Sequence, residues 1–156
     1  MLDYTLIKRK LALSEEELQK LTPYRNMTLE QAAGDFLTQA AVERVLEKVI
    51  TRGIDINRHI IGAIGTHLRA PRKNRETFLH LAELALYPRE FAEKIAPSAG
   101  FRNALVHDYN NLDEATRNTK IGDAIKMYTD YAKYILDFLD QHRAADLLKA
   151  AQDRTG

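Results

Sequence analysis

Between Phe36 and Ile64 the apolar residues return at steps of three and four, through Val42, Val45, Leu46, Val49, Ile50, Ile54, Ile60 and Ile61. That period belongs to an α-helix with one apolar face. Thr28 and Gln31 stand just upstream with the spacing of a capping box, so the pattern reads as opening at Thr28 and running to Gly65. Unbroken, such a helix would be about 55–60 Å long, whereas a chain of 156 residues has an expected radius of gyration of roughly 15 Å. Two outcomes satisfy both lengths. The helix bends, with Gly53 the natural place, or it protrudes and buries its surface against a second copy.

The remaining text is helical as well. Leu11, Leu13, Leu18 and Leu21 mark a first helix ending before Pro23, and Ser14 with Glu17 offers it a fresh start at a second capping box. Asn74 to Leu86 carries Phe78, Leu79, Leu81 and Ala82 on one side, and Pro88 is placed to begin a fourth helix. Pro97 and Gly100 interrupt, after which Phe101 to Tyr109 resumes the helical register. A final long helix uses Ile121 to Leu139, with Asp113 or Asp123 as its cap. Nothing alternates with period two for long enough to make a strand. The expected class is all-α: one domain over residues 1–156, a bundle of about five helices with a long second helix.

Composition removes several functions. There is no Cys, which excludes disulfides, thiolate nucleophiles and sulfur-ligated zinc. No apolar run approaches the roughly 20 residues that span a bilayer, and Glu15, Glu16 and Glu17 follow too soon after Lys8, Arg9 and Lys10 for a secretory signal. The reading is a cytoplasmic protein without membrane partners. A formal net charge of +1 is too small for coating nucleic acid through bulk charge, so contact with RNA is local or assembled from several subunits.

The chemistry concentrates in Phe101-Arg102-Asn103-Ala104-Leu105-Val106-His107-Asp108-Tyr109. On an ideal helix Asn103 and His107 share a face, Arg102 and Tyr109 share another, and Arg102 and His107 stand about 140° apart. Those two converge only if the helix loosens near His107 or a second subunit completes the pocket. RNA is cut without metal when its own 2′-oxygen attacks the adjacent phosphate. That reaction needs a proton acceptor and donor working near neutral pH, which His supplies. It also needs a permanent cation with fork geometry for the phosphate, which Arg supplies. The bland alternative is a structural network, with His107 capping a helix and Arg102 paired to an acid.

The string from Gly100 to Asp113, GFRNALVHDYNNLD, closely resembles the signature of the HepT-like branch of the HEPN superfamily: Arg, a polar residue, three more, His, any residue, Tyr. Arg102, Asn103, His107 and Tyr109 match it position by position. The likeness extends to the long second helix with Asp55, Asn57 and His59, a Pro-containing loop, and the short helix from Phe78 to Ala85. It implies a homodimeric helical bundle whose motif residues meet in a cleft between subunits. It implies further an endoribonuclease toxin, neutralised by a minimal nucleotidyltransferase encoded beside it. On that resemblance Arg102 and His107 are catalytic, Asn103 supports them, and Tyr109 is the site at which the partner adds AMP, blocking phosphate entry beside Arg102. No metal and no organic cofactor is expected in the reaction. The rival reading is a non-catalytic helical module that presents a nucleotide or substrate to the nucleotidyltransferase. Pro97 departs from the family pattern, in which the helix entering the motif runs through; here it kinks or starts anew.

Other residues invite a role. Arg69, Arg72, Lys73 and Arg75 surround Pro71; Arg72, Lys73 and Arg75 are candidate RNA-phosphate contacts, although a solvated inter-helix loop is the commoner reason for such a cluster. Tyr128, Tyr131 and Tyr134 resemble a base-stacking platform, but their spacing on an apolar-striped helix points to core or dimer packing. His80 and Glu83 form a single i, i+3 pair where a di-metal bundle wants two. Asp55, Asn57 and Arg58 hint at a polar network facing the motif.

Overall fold

The computed structural model describes residues 1–101 and 113–155. Helix α1 spans Tyr4–Gln19, α2 Leu29–Ala33, α3 Phe36–Ile64, α4 Asn74–Glu83, α5 Arg89–Ile95, α6 Glu114–Arg117 and α7 Ile121–Thr155, with a 3-10 turn at Thr22–Tyr24. Five of these are substantial and two are single turns, so the all-α bundle of about five helices is what forms. Among the described residues there is no strand, only an isolated antiparallel bridge between Thr28 and Lys120.

α1 lies antiparallel to α3. Asp3 donates its backbone N–H to His59 Nε2 at one end (2.9 Å), and Lys48 reaches Glu17 at the other (3.4 Å). α1 also runs antiparallel to α7, where the Tyr4 hydroxyl meets His142 Nδ1 (2.8 Å). The core between them holds Ile7, Leu46, Ile50, Ile60, Phe78, Tyr131 and Ile135, all essentially out of solvent. Aromatic rings pack edge to face in and against it, Phe78 of α4 on Tyr131 of α7, and Tyr87, between α4 and α5, on Phe91 of α5.

Several local expectations change once tertiary contacts are seen. α1 is continuous from an Asp3 cap, so the Ser14–Glu17 box is not used and Ser14 sits inside the helix. The Thr28–Gln31 box does form, both hydrogen bonds included, but it opens only α2. α3 is then capped separately by Asp35, which accepts from the Thr38 N–H at 3.0 Å. The long helix is therefore 29 residues, about 43 Å at its normal rise. It remains helical through Gly53, whose flank is filled by the rings of Tyr128 and Phe78; the glycine is a place of close aromatic packing, not a break.

The third helix stops at Glu83, before Leu86. Ala85 adopts a left-handed backbone (φ 65°), while the N–H groups of Leu86 and Ala85 return to the carbonyls of Leu81 and Ala82. Pro88 occupies the cap of α5 with no side-chain bond. Asp113 caps the short α6, not the last long helix. The first N–H groups of α7 are satisfied across the molecule instead: Ile121 donates to the Met27 carbonyl (2.8 Å) and Gly122 to that of Arg25 (2.9 Å). A Cβ at Gly122 would stand 2.8 Å from the Arg25 oxygen, so only glycine permits this approach. α7 then runs well past Leu139, to Thr155.

Candidate functional site

Arg102, Asn103, His107 and Tyr109 lie outside the described residues. What the structure does show is how the chain is held on either side of them. Upstream, α5 ends at Ile95, residues 96–97 turn at Pro97, and residues 98–101 are helical again; the helix entering the motif is thus restarted. The restart is anchored by Ser98. Its hydroxyl donates to the Ile95 carbonyl (2.7 Å), and the Tyr128 hydroxyl donates to Ser98 Oγ (2.6 Å), both out of solvent. Ala99 is buried beside it. Downstream, the Asp113 carboxylate accepts the Thr116 N–H at 2.7 Å, and Thr119 offers its carbonyl to the Leu29 N–H at 3.0 Å. Both ends of the motif segment are therefore fixed to the bundle, the first to α7 and the second to the start of α2.

The polar stretch of α3 resolves into separate jobs. Asn57 is completely buried. Its amide N–H donates to Thr77 Oγ1 (3.1 Å), and its carbonyl accepts the Tyr131 hydroxyl, which also reaches the Gly53 carbonyl at 3.1 Å. The Thr77 hydroxyl in turn donates to the Asn74 carbonyl (2.6 Å). Burial pushes the Tyr131 phenol far above its ordinary range, so it stays a neutral donor. Asp55 faces Lys10 at the surface (3.7 Å), and Arg58 donates to Asn74 Oδ1 (2.8 Å). The network is internal to α3, α4 and α7.

The basic loop between α3 and α4 is held from below. His80 Nε2 lies 2.6 Å from the Arg69 carbonyl while Nδ1 meets the Glu76 carbonyl at 2.8 Å. Glu76 accepts the backbone N–H of Arg72 (2.7 Å) and sits 3.8 Å from the Arg69 guanidinium. These two contacts, the N–H first, hold its carboxyl below the ordinary range. Arg72, Lys73 and Arg75 remain exposed, with their charged ends available to a solute. Sequence reasoning did not assign His80 to this job; the signal was only its place one turn beyond Glu76.

Tyr128 and Tyr131 are core residues and Tyr134 packs on Tyr87 and Phe91, so the three do not form a stacking platform. Among the described residues no group of three His, Asp or Glu side chains could hold a metal ion, and no helix is long and apolar enough to cross a membrane. A cavity of about 310 Å³ opens between α1, α3 and α7, lined by Leu11, Leu18, Val49, Ile56 and Leu136, with Glu15 and Lys133 toward solvent. Among the described residues its lining contains neither Arg nor His, the pair of groups expected of the motif.

The family model described as ribonuclease HepT-like matches residues 14–135, which include the motif and both of its anchors. The chain belongs to the HepT-like family. It is 31% identical over 134 residues to the tRNA nuclease HepT of Aphanizomenon flos-aquae (strain 2012/KM1/D3), covering 86% of this chain and 90% of that protein. The HepT-like fold matches a tri-AMPylated Shewanella oneidensis HEPN toxin in complex with its MNT antitoxin at a TM-score of 0.68 and 24% identity, over 88% of this chain and 99% of that one. A toxin–antitoxin crystal structure with AMP-PNP matches with a TM-score of 0.71 and 22% identity, over 85% and 98%. These two likenesses establish the all-α HEPN fold.

Proposed function

We propose that this HepT-like protein is a metal-independent endoribonuclease, the toxin of a toxin–antitoxin pair, with Arg102 and His107 as its catalytic groups. The observation that carries the reading is a family match running through the motif at Arg102, Asn103, His107 and Tyr109. The relative that bears the name tRNA nuclease supports it.

In this mechanism Arg102 holds the scissile phosphate through its fork of N–H donors and stabilises the charge that builds on it. His107 takes the proton from the 2′-hydroxyl as the 2′-oxygen bonds to phosphorus. The bond to the 5′-oxygen breaks and that oxygen takes up a proton, leaving a 2′,3′-cyclic phosphate and a 5′-hydroxyl. Asn103 orients the pair. A homodimer would bring a second motif alongside the first. The exposed ends of Arg72, Lys73 and Arg75, on a loop held by His80 and Glu76, suit contact with neighbouring RNA phosphates.

Control falls to a nucleotidyltransferase antitoxin. Tyr109 Oη would attack the α-phosphorus of ATP and release pyrophosphate, leaving AMP beside Arg102; the AMPylated state of the Shewanella toxin supports this part. The test is cleavage of RNA by the purified protein in chelator. His107→Ala is expected to abolish cleavage while the helical circular dichroism is unchanged, and full activity in that variant overturns the catalytic assignment. Tyr109→Phe is expected to take up no AMP from the partner enzyme; labelling at the wild-type level refutes the modification site. Wild-type protein that binds the antitoxin yet cuts nothing would favour the nucleotide-presenting module instead.

A further inference from the structure

The cavity between α1, α3 and α7 is graded from floor to mouth. Its floor is buried and apolar: Val49, Gly53 and Ile56 of α3, with the rings of Tyr128 and Tyr131 of α7. Both phenol hydroxyls are engaged elsewhere, Tyr128 on Ser98 and Tyr131 on Asn57, so the floor offers ring and aliphatic carbon. The polar residues of the lining, Glu15 and Lys133 among them, are exposed and belong to the mouth. An apolar interior with a few polar groups at one side is the usual make-up of a small-molecule site. A dry apolar cavity of about 150 Å³ takes up one benzene ring; this one, at about 310 Å³, has room for two fused rings. A partner helix, about 10 Å across, does not enter a space of that size. With a carboxylate and an ammonium both at the mouth, an ion of either sign meets a like charge there, whereas a neutral N–H or hydroxyl finds an acceptor in Glu15.

We propose that this cavity binds a small, uncharged two-ring aromatic molecule, its rings against Tyr128 and Tyr131 and its one hydrogen-bond donor at the mouth beside Glu15. The site communicates with the motif through a single side chain. The Tyr128 ring lines the cavity, while its hydroxyl donates to Ser98 Oγ (2.6 Å), where the helix entering the motif restarts. A ligand packed on that ring restrains it, and with it the anchored residues 98–101. Binding and this coupling stand without the ribonuclease reading; an effect of the ligand on RNA cleavage rests on it.

Indole is the probe, titrated into the full chain by calorimetry and followed by NMR. It is expected to bind with a Kd below about 1 mM and to give nuclear Overhauser contacts to the methyl groups of Val49 and Ile56. Ala132→Phe, which sets a ring into the cavity from the α7 wall, is expected to weaken binding at least about tenfold with the helical circular dichroism unchanged. Should that variant not fold, the methyl contacts in the wild type decide the site. Bound indole is expected to slow amide exchange of residues 98–101 about threefold or more. Tyr128→Phe keeps the ring but not the bond to Ser98, so it should still bind indole and lose the slowed exchange. Absence of binding, binding without contact to Val49 and Ile56, unchanged affinity in a folded Ala132→Phe, or equal slowing in Tyr128→Phe would each overturn the proposal. So would indole binding that weakens as the protein is concentrated, which would give the cavity to a second copy.

Discussion

Asn57 lies wholly out of solvent and yet has a partner for each end of its amide, Thr77 on one side and Tyr131 on the other. A buried amide is tolerated only on those terms, since an unsatisfied donor or acceptor costs roughly 1–3 kcal/mol. Asn57→Ala removes the acceptor of the Tyr131 hydroxyl and the donor to Thr77, and opens a small void between α3, α4 and α7. A loss of about 2–3 kcal/mol in urea-unfolding stability is expected. A loss under about 0.5 kcal/mol would mean the three helices close without this network. The composition of α3 announced a polar group in an apolar face; whether it served the motif or the packing depended on partners far away in sequence.

At the level of elements, helix ends were the least legible feature. The boxes at Thr28 and Ser14 look alike as strings, but Ser14 falls inside a turn already propagated from Asp3, and the apolar contacts of Leu11 and Leu18 keep α1 in one piece. The start of α7 has no side-chain cap to recognise, because carbonyls of residues 25 and 27 supply the acceptors. Ala85 shows the converse. It closes α4 in a left-handed conformation that costs a non-glycine residue about 1 kcal/mol. Ala85→Gly, at an exposed position, is expected to raise stability by about 0.5–1 kcal/mol, measured as an upward shift of the thermal midpoint. A fall in the midpoint would show that the strain is absorbed elsewhere.

For the whole molecule, charge bounds the range of stable pH from both sides. Asp35 and Asp113 are held below the ordinary carboxylate range by the hydroxyl and N–H of Thr38 and Thr116, and Glu76 by the Arg72 N–H. Their folded values lie under the unfolded ones, so their stabilisation is present above the unfolded range, near pH 4, and is lost as pH falls through the folded values. Burial moves the phenols of Tyr87, Tyr128 and Tyr131 upward, which has the opposite sense: stability is whole below about pH 10 and declines as pH rises beyond it. Urea midpoints are expected to be flat between roughly pH 5 and 9 and to fall on either side. A midpoint still level at pH 11 would contradict the buried phenols.

What the amino-acid order decided alone was what depends on near neighbours: helical period, the apolar faces, Thr28 and Pro88 at helix starts, and the motif string with its spacing. A three-to-four-residue period is a local property, set by backbone geometry and side-chain polarity along one turn. Tertiary structure decided everything that needs a distant partner. It turned Tyr128 and Tyr131 into core, set His80 under the Arg69 carbonyl, made Gly122 obligatory beneath Arg25, and carried α7 out past the bundle. Those outcomes follow from which surfaces meet when the helices pack, and apart from His80 and Arg69 no window of a dozen residues contains both sides of these contacts.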